Sequence, residues 1–130
     1  RALENFDKAI HLDPTNSYFY YIRGWVYVKL GQYQRAVADF NEARRQKYEN
    51  SDLYYIRGSV YAELGQYQQA LEDFSKVIEL KPGHADAYNN RAVIYLFQGK
   101  KALGCSDVQK ACSLGNCHGL NWAKGKGLCL

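Results

Sequence analysis

At 130 residues and 14.9 kDa, with 47% hydrophobic and 23% charged residues, the chain is long enough for a domain with a real core and too apolar for a disordered segment. Its net charge of +4 falls entirely at one end: residues 1–99 balance twelve Lys/Arg against twelve Asp/Glu, whereas residues 100–130 set five Lys against Asp107 alone. No apolar run approaches the roughly 18 residues of a membrane span, strand-like alternation is absent, and Pro14 and Pro82 are the only prolines, so an all-α protein without a membrane span is expected.

Arg1-Ala2-Leu3-Glu4 already reads as the middle of a helix, and the sequence contains no Met. A helix over 1–12 is therefore expected, and with it that the chain is a piece of something longer. The absence of a leader says nothing about compartment.

From Ser17 onward the chain copies itself. Tyr20-Tyr21-Ile22-Arg23-Gly24 returns as Tyr54-Tyr55-Ile56-Arg57-Gly58, and Leu30-Gly31-Gln32-Tyr33-Gln34 as Leu64-Gly65-Gln66-Tyr67-Gln68, both at an offset of 34 residues. Counting each unit from Ser17, Ser51 and Ala85, positions 4, 7, 8 and 11 hold Tyr20, Arg23, Gly24 and Tyr27, then Tyr54, Arg57, Gly58 and Tyr61, then Tyr88, Arg91, Ala92 and Tyr95. That spacing stacks four side chains on one helical face. After the Gly at position 15 (Gly31, Gly65, Gly99) a second stripe follows at positions 17, 20, 24 and 27: Tyr33, Ala36, Phe40 and Ala43, then Tyr67, Ala70, Phe74 and Val77. Each unit is expected to be a helical hairpin. A mid-helix Gly costs about 1 kcal/mol relative to Ala, a penalty that makes sense where a partner helix approaches closely. Ser17 and Ser51 are available near the helix starts, and Pro82 stops the second helix of its unit.

On these residues the sequence resembles the tetratricopeptide repeat family, whose unit has small residues at 8 and 20, aromatics at 11, 17 and 24, and Pro at 32. The resemblance implies a right-handed superhelical array of antiparallel helix hairpins, an α-solenoid. It divides the chain into the second helix of a truncated repeat (1–16, with Ala2, Phe6, Ala9, Ile10 and Pro14 in the second-helix places), units at 17–50 and 51–84, a divergent unit at 85–116, and a C-terminal capping helix and tail at 117–130. The pattern departs at Arg44-Arg45-Gln46-Lys47-Tyr48, where an apolar helix end and Pro are expected, and at Lys101, Gly104 and Val108 of the third unit. Terminal repeats are atypical because they cover an exposed core face.

The resemblance further implies that the first helices line a concave groove through positions 2, 5, 9 and 12. These are Tyr18, Tyr21, Trp25 and Val28, then Asp52, Tyr55, Ser59 and Ala62, then Asp86, Asn89, Val93 and Leu96. Aromatic side chains dominate interface hot spots, so a peptide-binding groove is expected at Tyr18, Tyr21, Trp25, Val28, Tyr55, Ser59, Asn89 and Val93. Packing between repeats is the competing reading, above all for Tyr55. The Lys and Asn with which some family members grip acidic C-termini would stand at positions 5 and 9, which here hold Tyr21, Trp25, Tyr55 and Ser59. An extended peptide or a helix suits such a groove better.

Arg23, Arg57 and Arg91 share the packed stripe with tyrosines and read as structural, their guanidinium groups reaching a carbonyl or carboxylate at the hairpin edge. Leu3, Phe6 and Ile10 would form an apolar N-terminal edge suited to self-association, the alternative to peptide binding. Cys105, Cys112, Cys117 and Cys129 lack the Cys-x-x-Cys spacing of zinc modules; burial against the cap is the default, and a disulfide pinning the cap to the third unit is the alternative. His11, His84 and His118 fall at unit ends, with no nucleophile-base pairing and no phosphate loop, so no enzyme activity, metal or cofactor is expected. The basic C-terminal quarter reads as a solvated face rather than a nucleic-acid site. Partners are thus another protein or peptide, or a second copy through repeat ends. Compartment stays open, with the cytoplasm favoured and a disulfide at the cap arguing for export.

Overall fold

The computed structural model describes residues 2–130, and no strand occurs among the described residues. Among the described residues, eight helices fall into two compact units, Arg1–Gln66 and Tyr67–Leu130. In the first, α2 (Ser17–Lys29) and α3 (Tyr33–Arg45) form an antiparallel hairpin, with α1 (Ala2–Leu12) packed on α2 and α4 (Ser51–Glu63) packed on α3. In the second, α6 (Ala85–Phe97) and α7 (Lys101–Ser113) make the hairpin, α5 (Tyr67–Leu80) packs on α6, and α8 (His118–Gly125) touches both hairpin helices. The fold is all-α and built of helix hairpins, as the sequence pattern requires.

Local chemistry sets the helix ends. The serines expected near the starts of α2 and α4 are already helical; the residues before them do the capping. Asn16 accepts from the Tyr18 amide at 3.1 Å and Asn50 from the Leu53 amide at 2.8 Å, each satisfying a donor that the first turn leaves unpaired. At α6 the His84 Nδ1 accepts from the Ala87 amide at 3.1 Å. The turns after α2, α4 and α6 pass through Gly31, Gly65 and Gly99 at φ of 72°, 76° and 78°, the left-handed region where Gly carries no Cβ penalty. The end of α3 uses Lys47 in the same region, φ 74°, with the Tyr48 amide donating back to the Ala43 carbonyl at 2.9 Å. That closure takes the place of the missing Pro and turns the Tyr48 ring onto α2.

The core of the first unit is Ala36, Phe40, Ala43, Leu53 and Val60, with Gly24 over the Phe40 ring. A Cβ on Gly24 would stand 2.6 Å from Phe40 Cε1, so the small residue is what lets α2 approach α3. Burying Phe40 contributes about 1.5–3 kcal/mol, and Phe40→Ala, which adds a cavity, costs about 3–5 kcal/mol. The second unit repeats the device with the small residue moved across the hairpin. Ala92 stands on α6 and Gly104 on α7, where a Cβ would meet Leu96 Cγ at 2.5 Å. Despite its divergent sequence, α7 is complete, and Val108, Ala111 and Ala123 of α8 are fully buried.

Candidate functional site

Tyr18, Tyr21, Trp25 and Val28 recur on one face of α2 at helical spacing. Their rings form a continuous cluster to which the α3–α4 turn adds Tyr48. The Tyr21 and Tyr48 centroids lie 4.8 Å apart, Tyr18 and Tyr48 6.0 Å, Tyr18 and Tyr21 6.3 Å, and Tyr21 meets Trp25 edge to face at 6.4 Å. Tyr21 sits at the centre and also touches Phe40 at 6.0 Å, tying the cluster to the core. Burial raises the Tyr21 phenol pKa above its ordinary value; a hydrogen bond from Trp25 opposes that shift, and the negative charge of Asp52 adds to it.

These residues therefore play different parts. Tyr21 is only 7% exposed and supports the cluster from below, whereas Tyr18 is 51% exposed and Trp25, Val28 and Tyr48 are half-buried at its surface. On α4, Tyr55 and Ser59 are half-buried, and the Ser59 hydroxyl donates to the Tyr55 carbonyl at 2.9 Å. Asp52 is exposed one turn before Tyr55 on the same helical face. Tyr48 escaped the sequence analysis because it lies outside the first helices; an aromatic in the slot normally held by Pro was the available signal.

The equivalent positions of α6 are differently placed. Asn89, expected to face a ligand, is buried beneath the segment that leads into α8: its amide lies 3.4 Å from the Asn116 carbonyl and its Oδ1 stands against Gly119, where a Cβ would approach to 2.3 Å. Asp86 accepts from the Asn116 amide at 2.8 Å, and Val93 is half-buried. Asn116 and the start of α8 thus occupy this face of α6.

The arginine stripe is structural. Arg23 donates through Nε and Nη2 to both Asp39 oxygens at 2.7 and 2.8 Å, and through Nη1 to Asp7 at 3.0 Å. Arg91 repeats this, with Asp107 at 2.8 Å through both atoms and the Ser75 hydroxyl at 3.0 Å, while Arg57 reaches Asn41 at 2.9 Å. Each guanidinium also lies over two tyrosine rings of its own helix at 5.6 to 5.8 Å. Each of these polar contacts spans 16 residues, so Arg23 and Arg91 each join the hairpin partner and the helix before it. The carboxylates raise the pKa of Arg23 and Arg91, whose charge is permanent.

At the N-terminal edge Ile10 is buried within its own unit and Leu3 and Phe6 are half-buried, while Leu12 is 83% exposed. The cysteines pair as Cys105 with Cys129 and Cys112 with Cys117, at Cα separations of 5.7 and 4.0 Å. The first pair joins α7 to the tail after α8 and closes over Ala92, Leu96, Val108 and Ala123. Among the described residues no cluster of His, Cys, Asp and Glu is arranged to hold a metal ion, and no helix is long and apolar enough to cross a membrane.

A family model described as tetratricopeptide repeat matches residues 1–51, 21–85 and 55–104, three overlapping stretches that together reach from 1 to 104. No curated protein matches the chain in sequence. Among solved structures, a crystal structure of MamA is 28% identical with a TM-score of 0.81, over 86% of this chain and 66% of that one. MamA from Desulfovibrio magneticus gives 26% and 0.82, over 87% and 64%. A tetratricopeptide repeat protein from Parabacteroides merdae gives 22% and 0.81, over 87% and 45%, a likeness of fold alone. The chain thus spans about two thirds of the length of the MamA structures it resembles.

Proposed function

The chain belongs to the tetratricopeptide repeat family of helical scaffolds that hold other proteins, and from that premise we propose that it binds a peptide or helix on the aromatic face of α2 and α4. The observation that carries this reading is the ring cluster of Tyr18, Tyr48 and Trp25. Tyr18 is exposed and Trp25 and Tyr48 are half-buried, while a buried fourth ring, Tyr21, packs against all three. Rigid aromatics lose little rotamer entropy on binding and supply large contact area, the composition that makes hot spots. A peptide laid along such a face gains from contacts already in place before it arrives.

The test is retention of partner protein by wild type and by a Tyr18→Ala/Trp25→Ala variant. Tyr21 is left intact because its loss would disturb the core. A partner held by wild type and lost by the variant, with unchanged helical circular dichroism, supports the reading; equal retention refutes it.

A second reading, self-association through α1, is favoured by Leu12, which projects at 83% exposure beside Asp7, Lys8 and His11. Light scattering across concentrations separates the two. A concentration-dependent dimer abolished by Leu12→Lys supports self-association, and a monomer throughout rejects it.

A further inference from the structure

We infer that the segment received by the aromatic face presents a basic side chain, which pairs with Asp52 while its cation rests against the tyrosine rings. The inference rests on the groove reading above and adds the chemistry of the partner. Among the groove positions of α2 and α4, Asp52 is the one charged residue. It is exposed and makes no hydrogen bond or ion pair among the described residues, yet its charge reaches the Tyr21 phenol. Asp86, at the same place in the next repeat, is instead tied to the Asn116 amide at 2.8 Å. An acid in a first helical turn is favoured by the helix dipole wherever it points. That accounts for an acid at the start of α4, but leaves open why it stands unpaired on the face that carries Tyr55.

The protein itself uses the chemistry that such a partner would need. Arg23 lies over Tyr20 and Tyr27 at 5.7 and 5.8 Å while both Asp39 oxygens accept its hydrogens. A guanidinium among tyrosines with a carboxylate at its edge is thus an arrangement this fold already stabilises. At the groove positions of α2 and α4 stand the rings and the carboxylate, with no Lys or Arg among them. A cation over an aromatic face gains most when water is excluded, which a bound peptide would do. The inference also runs against bulk electrostatics: a chain of net charge +4 attracts acidic partners non-specifically, so a preference for basic ones must come from a local site.

The experiment is selection of short random peptides displayed on phage against the full disulfide-bonded chain, followed by anisotropy titration of labelled hits. Wild type is compared with Asp52→Asn, Tyr18→Ala and Trp25→Ala. The expected hits carry Arg or Lys, bind Asp52→Asn about tenfold more weakly, and weaken with added salt. Asp52 and Tyr18 are surface residues, so their variants keep the test decisive even where Trp25→Ala fails to fold. Hits that are neutral or acidic, or basic hits that bind Asp52→Asn as well as wild type, overturn the inference; where such hits still depend on Tyr18 and Trp25, the groove reading survives. Hits indifferent to all three substitutions, or no enrichment at all, overturn both.

Discussion

The arginine stripe offers the sharpest test of how the hairpins are held together. Arg23 and Asp39 face each other with side-chain exposures of 20% and 7%, joined by hydrogen bonds of 2.7 and 2.8 Å. Replacing Arg23 by Met keeps the apolar stem between Tyr20 and Tyr27 but leaves a buried carboxylate without its main partner. Breaking a buried pair from one side costs about 3–5 kcal/mol, and because a fifth of the Arg23 side chain still meets water, the lower end, about 3 kcal/mol, is expected. Asp39→Leu leaves the guanidinium only the exposed Asp7 and costs a similar amount. The double variant removes both charges and should cost no more than either single change, giving a coupling energy of at least about 3 kcal/mol. Asp7→Asn is the control: that carboxylate is 54% exposed and should contribute less than about 1 kcal/mol. Urea unfolding is followed by Trp25 emission in a Trp122→Phe background, so that the signal arises from the first unit. Single substitutions within about 0.5 kcal/mol of wild type, or strictly additive effects, would refute the view that this pair fastens α2 to α3.

Gly24→Ala should destabilise by about 1 kcal/mol in the same titration, because displacing the Phe40 ring costs more than the improved helix propensity returns; a more stable variant rejects the close-approach account. Iodoacetamide should leave the unreduced chain unlabelled at all four cysteines. Opening the Cys105–Cys129 bridge, which spans 24 residues, should lower stability by about 3.5 kcal/mol, read as an earlier thermal transition of Trp122 emission, and an unchanged midpoint after reduction counts against a role in holding the cap. Burial raises the Tyr21 pKa in the folded state, so its contribution to stability is complete below the ordinary tyrosine pKa of about 10 and is lost as pH climbs through the raised value. Tyr21→Phe should therefore flatten the alkaline fall in melting temperature, and an identical pH profile in both proteins contradicts this.

The hairpins were legible because their constraints repeat. A helix that packs on a near-copy of itself needs the same small, aromatic and charged residues every 34 positions, and a single chain displays that period without alignment. Reading Arg23, Arg57 and Arg91 as structural followed from their sharing a stripe with tyrosines, though which carboxylates they meet depends on how deep Asp39 and Asp107 sit. The candidate site was less legible, since it is shaped where the period breaks. Tyr48 joins the rings only because Lys47 adopts a left-handed turn in place of Pro. Asn89 is buried because Gly119 and Asn116 lie over it, Asn116 standing where the first unit has Tyr48. Cysteine spacing cannot select among the three pairings open to four thiols; the pairs follow from α8 bringing the tail back to α7.

Stacking and recognition place opposite demands on the same short helices. The Tyr-Arg-Tyr stripe is identical in three successive units, and Asp39, Asp73 and Asp107 recur at one position of the second helices, where Asp39 and Asp107 receive Arg23 and Arg91. Position 9 of the groove face runs Trp25, Ser59, Val93 and position 2 runs Tyr18, Asp52, Asp86, so nothing in the repeat itself dictates them. A face relieved of the packing constraint drifts toward ordinary polar surface unless something outside the repeat holds its composition. Tyr18, half exposed and anchored on a ring that is itself anchored in the core, departs from that drift. Removing it should cost the fold little, because one face of the ring already meets water, and should cost binding much more. Dissociation of those two effects is what separates a recognition face from an accident of packing.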